Sequence, residues 1–134
     1  MTIALFAAST VSTHAQTIWT GTVSSDWFTA GNWTAGVPTN VTTANINTTT
    51  PNPTEIIVAG AIANSVQVGG GQLTIQAGGT LTDGNGFLGF GGGVSQSTAT
   101  VSGANSLWAN GLFLVGFTSP GTLRVENGGT ANSR

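Results

Sequence analysis

The ten residues Gly71-Gln-Leu-Thr-Ile-Gln-Ala-Gly-Gly-Thr80 return as Gly121-Thr-Leu-Arg-Val-Glu-Asn-Gly-Gly-Thr130, displaced by 50 residues without a gap. A repeat with a period of about 20 to 50 residues is built of stacked supersecondary units, each burying its apolar face against the next. Leu73 and Ile75 alternate with Thr74 and Gln76, and Leu123 and Val125 with Arg124 and Glu126, the period-two pattern of a half-buried strand. Each strand runs into a glycine pair, Gly78-Gly79 or Gly128-Gly129, where residues without Cβ permit the positive φ of a sharp corner. The repeating unit is therefore strand, corner, strand.

Composition agrees with an all-β chain. Good helix formers such as Lys, Glu and Arg are nearly missing and 21 glycines interrupt every window, while the abundant Thr, Ser, Asn and Gly suit short strands and corners. The 134 residues make one modest domain, and with 39% hydrophobic residues it has apolar material for a core. Only six side chains carry charge: Asp26, Glu55, Asp83, Arg124, Glu126 and Arg134. A chain of net charge −2 with no lysine cannot form the basic patch that displaces counterions from nucleic acid, so nucleic acid is excluded as a partner. Cysteine is absent, which removes disulfides and thiol chemistry.

Four segments follow one another. Residues 1–15 hold the apolar run Ile3-Ala-Leu-Phe-Ala-Ala8 and the small-residue end Thr13-His14-Ala15, the layout of a cleaved secretory signal, truncated in that no Lys or Arg precedes Ile3. Export is the expectation, a buried or disordered N-terminal segment the alternative, and the only histidine, His14, leaves with the signal. Residues 16–46 hold Trp19, Trp27 and Trp33. Such aromatic density has two uses: indoles that cap the open end of a repeat stack, which is the expectation here, or an exposed platform on which sugar rings stack. Residues 47–54, NTTTPNPT, form a loop, because two prolines cannot continue a central strand. Residues 55–134 then carry short apolar centres near Ile57, Val66, Leu73, Leu81, Leu88, Val101, Leu114 and Val125. With three short strands to a turn, a coil holds roughly 20 to 30 residues and the long repeat spans two coils. Phe87-Leu88-Gly89-Phe90 and Leu114-Val115-Gly116-Phe117 echo each other at one-coil spacing. These features predict a right-handed parallel β-helix with an N-terminal Trp-rich cap; a sandwich has similar strand spacing but gives no reason for identical phrases so far apart.

The inventory for catalysis is nearly empty. With His14 as the only histidine there is no Ser-His-Asp arrangement, and no cluster of His, Cys and acidic residues can hold zinc. Asp83 and Glu126 are the carboxylates to nominate for glycoside hydrolysis, but they occupy different positions in the repeat and read as solvated surface groups. Asp83-Gly84-Asn85-Gly86 alternates oxygen ligands with glycine in the manner of a calcium loop, yet Phe87-Leu88 follows where a bidentate Glu is needed, so it reads as a corner turn. No catalytic residue, cofactor or metal is expected. The candidate binding residues are Trp19, Trp27 and Trp33, should they stack on carbohydrate; Trp108 reads as a packing residue between coils.

Thr98-Ala-Thr-Val-Ser-Gly-Ala-Asn-Ser-Leu-Trp108, Leu112-Phe-Leu-Val-Gly116 and the phrase from Gly121 to Thr130 together resemble the strand repeats of autotransporter passenger domains. The opening Trp19-Thr-Gly21, Asp26-Trp27-Phe28, Asn32-Trp33 and Gly36-Val37-Pro38 is similar to the segment that follows the signal in such secreted proteins. The resemblance covers about residues 17–134 and implies a β-helical stalk or adhesin. It further implies passage through the outer membrane of a Gram-negative bacterium by a C-terminal β-barrel, and display at the cell surface against a host-surface or polysaccharide ligand. Two alternatives stay open: a carbohydrate-binding module, or the scaffold of a polysaccharide lyase or hydrolase whose active residues lie outside this chain. The repeats read as incomplete at the C-terminus, which predicts end-to-end self-association.

Overall fold

The computed structural model describes residues 14–91 and 95–134. The expected signal at 1–15 falls almost wholly outside them. Ten strands form two parallel sheets, the chain alternating between them from β2 onward: β1 (Ala15–Ile18), β2 (Thr42–Ile46), β3 (Thr54–Ile56), β4 (Ala61–Val68), β5 (Gln72–Ile75), β6 (Thr80–Leu88), β7 (Ser97–Ser102), β8 (Leu107–Val115), β9 (Gly121–Glu126) and β10 (Thr130–Ser133). The larger sheet runs β1-β2-β4-β6-β8-β10 and the smaller β3-β5-β7-β9, every neighbour parallel. This is a β-solenoid of about five turns. The helical element among the described residues is one 3-10 turn, Ala30–Asn32, and no helix is long and apolar enough to cross a membrane.

Register explains the repeat. Leu73 pairs with Ala99 and Ala99 with Leu123, while Ile75, Val101 and Val125 align beside them. The duplicated phrase therefore recurs after two coils, with Ser97–Ser102 as the intermediate rung. The shorter echo is one coil: Phe87 pairs with Leu114 and Leu88 with Val115, and Gly89 (φ 78°) and Gly116 (φ 74°) turn the same corner.

The two glycines of each pair serve different needs. Gly78 (φ 81°) and Gly128 (φ 85°) take the left-handed conformation, following Ala77 (φ 54°) and Asn127 (φ 53°), which take it as well. Gly79 and Gly129 do not; a Cβ there would overlap the carbonyl oxygens of Ile56 and Val101 in the coil below. The first glycine makes the turn and the second lets successive coils approach.

Each turn has two strands in place of the three expected, because the expected strands at Leu81 and Leu88 merge into β6. The third corner survives inside the long strands as a change of phase. Ala61 and Ala63 face inward on β4, then Val66 and Val68; on β6 the buried set is Leu81 and Asp83, then Gly86 and Leu88. Asn64, Gly84 and Gly111 stand at this step, skipped by the pairing on either side. Gly84 lies against the Asn64 carbonyl and Gly111 against that of Gly84, so side chains are excluded at both.

The coils begin earlier than residue 55. β1 and β2 head the larger sheet, and the pairing of Asp26 with Glu55 extends the smaller one by a rung. The Trp-rich segment 16–46 is thus the first coil itself, carrying a long loop between β1 and β2.

Candidate functional site

Three places concentrate chemistry or exposed apolar surface: the tryptophan end, the opposite end, and a polar cluster inside the wall.

At the tryptophan end, Trp19 follows β1 and its backbone N–H donates to the Asn45 carbonyl (2.8 Å), placing it beside Ile46 at the head of the column Ile46, Val68, Leu88, Val115. Trp27 donates its backbone N–H to the Glu55 carbonyl (3.0 Å) and heads the column Ile56, Ile75, Val101, Val125. Trp33 packs edge-on to both, with ring centroids 5.0 Å from Trp19 and 4.9 Å from Trp27. Its indole N–H donates to the Trp27 carbonyl (2.8 Å), that of Trp19 donates to the Asn52 carbonyl (2.9 Å), and that of Trp27 has no partner. All three side chains are buried. As placed, they offer no open ring face to a sugar; they seal the end of the stack.

Asn32 holds this loop. Its Oδ1 accepts from the backbone N–H groups of Val23 and Ser24, and its Nδ2 donates to Ser24 Oγ and the Asp26 carbonyl. Although Asn32 opens an N-x-Thr triplet, it is fully buried and committed to these four bonds, which leaves no room for a glycan. Asp26 turns the chain locally, accepting from the Phe28 N–H and the Thr29 hydroxyl.

At the other end the same columns finish at Val115 and Val125, 47% and 46% exposed, with Leu112 46% exposed nearby. β9 and β10 have no strand beyond them among the described residues. On the outer face of β9, Arg124 and Glu126 form an exposed ion pair (2.8 Å), placing Glu126 in solvent as its slot suggests.

The polar cluster departs from the sequence reading. Asp83 is not in a solvated turn: β6 continues through it, and its side chain points inward with 6% exposure, in the column Ala63, Asp83, Asn110, Ser133. The reason is the ladder. β4 and β8 pair with β6 on both sides of Gly84 and hold Asp83-Gly-Asn-Gly86 extended where an isolated segment would turn. Trp108 Nε1–H donates to Asp83 Oδ1 (3.0 Å), so the indole expected between coils also anchors the acid. Asp83 Oδ2 and Asn110 Oδ1 are buried without partners. Burial raises the Asp83 pKa to about 7; the Trp108 hydrogen bond and the nearby backbone N–H groups of Val66 and Asp83 act in the opposite, lowering direction. An open depression of about 190 Å³ at the Gly84–Gly111 corner is bordered by Thr82, Asp83, Asn110 and Arg134. The spacing carries a signal for this cluster: Asp83 and Trp108 lie 25 residues apart, two short of the Asp83–Asn110 rung, which is a diagonal step across adjacent coils.

A single buried carboxyl with no second acid, base or nucleophile beside it does not form a hydrolytic pair. No group of three His, Cys, Asp or Glu side chains among the described residues could hold a metal ion. No protein-family model matches the chain, and no curated protein or solved structure is detectably similar to it.

Proposed function

We propose that the chain is a non-catalytic stalk or adhesin segment, the membrane-distal start of an exported, surface-displayed passenger of the autotransporter kind. The observation that carries this reading is the asymmetry of the solenoid. One end is closed by Trp19, Trp27 and Trp33, whereas the other presents Leu123 and Val125 in the phrase whose earlier copy, around Leu73 and Ile75, is covered by the next coil. A solenoid with one finished end and one that accepts a further rung is suited to be the tip of a longer rod. The apolar run from Ile3 and the small residues before Gln16 support export. A C-terminal outer-membrane β-barrel is the partner this reading requires, and the outward slots Thr74, Gln76, Arg124 and Glu126 are where a host-surface or polysaccharide ligand would make contact.

The test is surface labelling. Antibodies raised against the folded chain are expected to stain intact cells of the source organism, and brief protease treatment of those cells is expected to remove the signal. Antigen found only after cell lysis, unaffected by external protease, refutes the proposal.

A further inference from the structure

Two buried oxygen acceptors, Asp83 Oδ2 and Asn110 Oδ1, lie on adjacent rungs of one inward column, and neither makes a well-formed hydrogen bond, although the backbone N–H groups of Val66 and Asp83 lie near the carboxyl and favour its ionised form. Rungs of a parallel ladder are about 4.8 Å apart, so side chains projecting from paired positions are neighbours. A buried acceptor without a donor costs about 1–3 kcal/mol, and here two would sit together. One proton satisfies both. We propose that Asp83 is a neutral carboxylic acid in the folded solenoid, its Oδ2–H donating to Asn110 Oδ1 while its Oδ1 accepts from Trp108, and that this makes the wall of the stalk sensitive to pH.

The surroundings favour the neutral form. On β4 the neighbours are Ala63 and Val66, and across the core β5 and β7 present Leu73, Ile75, Ala99 and Val101, none of them titratable. β8 contributes Trp108 and Asn110 and β10 the neutral Ser133. Arg134, exposed at the rim of the depression, is the charged group that borders the same space. Asp83 is the only carboxylate of the cluster, fewer acidic groups than a metal site of three His, Cys, Asp or Glu side chains would bring.

The direction of the pH effect follows from linkage. The folded-state pKa of Asp83 is about 7 and the ordinary carboxylate value is 3.8. The stabilising proton is fully present below the ordinary value and is lost as pH rises through the folded one, so stability falls between these two limits and levels off above them. Over the middle of that window one proton is released on unfolding, and the unfolding constant rises about tenfold per pH unit.

The experiment compares the full chain with Asp83→Asn, whose amide reproduces the neutral acid by accepting from Trp108 and donating to Asn110. Urea unfolding of the wild type is expected to give midpoints that fall from pH 5 to pH 8. The variant is expected to lose that dependence and to be the more stable protein at pH 8. Infrared difference spectra of the folded wild type are expected to show a carboxylic-acid carbonyl band at pH 5.5 that vanishes by pH 8.5 and is missing from Asp83→Asn. Asn110→Asp supplies a second variant: two carboxyls sharing one proton are expected to move the titration upward.

Three results overturn the proposal. One is an Asp83 already ionised in the folded protein at pH 5.5, as an inverted Asn110 amide would permit. Another is Asp83→Asn keeping the wild-type pH profile. The third is stabilisation of the wild type, but not of Asp83→Asn, by added calcium, which would assign the two oxygens to a cation.

Discussion

Trp27 and Val125 occupy opposite ends of one inward column, the indole fully buried and the valine 46% exposed. Three isoleucine or valine rungs separate them: Ile56, Ile75 and Val101. The column works as a gradient of cover. A large aromatic of the first coil, held by its backbone bond to Glu55, covers Ile56 from below.

The three end indoles differ in what their N–H groups do, and this separates their substitutions. Trp33→Phe is expected to cost about 1–3 kcal/mol, because it leaves the Trp27 carbonyl without its donor inside the cluster. Trp27→Phe removes a donor that has no partner, so the lost area is offset and the change is expected to lie within about 1 kcal/mol of neutral. Chemical denaturation of both variants checks the order; equal losses would mean that ring volume alone decides.

The paired glycines predict two kinds of damage. Gly78→Ala places a Cβ in open space at φ 81°, and is expected to cost about 1–2 kcal/mol of conformational strain. Gly79→Ala drives a methyl into the Ile56 carbonyl and is expected to cost about 3 kcal/mol or more, since the coil below must shift. Ala77 (φ 54°) is the mirror case: replacing it with Asn, the residue at the same place in the second phrase, is expected to stabilise by about 0.5–1 kcal/mol. Urea midpoints for the three variants test the ranking.

Asn32 is expected to be among the least replaceable polar residues. Its side chain makes four hydrogen bonds within the loop that carries the indoles, and Asn32→Ala leaves the Val23 and Ser24 N–H groups unpaired in a part-buried setting. A loss of about 2–4 kcal/mol is expected, with a red-shifted tryptophan emission as the loop opens. Asn32→Asp keeps Oδ1 but not the donors, and should fall between the two.

The solenoid was legible where packing repeats and illegible where a single contact replaces it. Ile75, Val101 and Val125 announce their column because each rung is apolar and the corner glycines recur beside it. β1 and the rung at Asp26 lack that alternation, since each enters the core through one tryptophan, and so the first coil reads as a separate cap. Asp83 is harder still. A carboxylate between glycines has the pattern of a turn, and what turns it inward lies elsewhere: the Trp108 indole from the next coil, and ladders with β4 and β8 that keep Gly84 extended. The two-strand coil was hidden for the same reason, because the phase change at Asn64, Gly84 and Gly111 spaces the apolar residues as a loop would.

The exposed end of the column gives the last prediction. Val115 and Val125 present apolar surface beside unpaired strand edges, the combination that promotes edge-to-edge pairing. The phrase on β9 is also complementary to itself. In an antiparallel pairing of two copies centred on Val125, Arg124 of each would stand opposite Glu126 of the other, and opposite charges on facing rungs favour association. The chain is therefore expected to self-associate with rising concentration in sedimentation velocity. Val125→Asp puts two carboxylates face to face at the centre of that contact and is expected to weaken association at least about tenfold, some 1.4 kcal/mol. Ile62→Asp is the control: Ile62 is 42% exposed, but on the outer face of β4 in the middle of the stack, where no edge is free. If Ile62→Asp reduces association as much as Val125→Asp does, general surface apolarity is responsible and the open end is not. Higher salt should weaken the wild-type contact and leave Arg124→Gln, which lacks the facing charge, less affected.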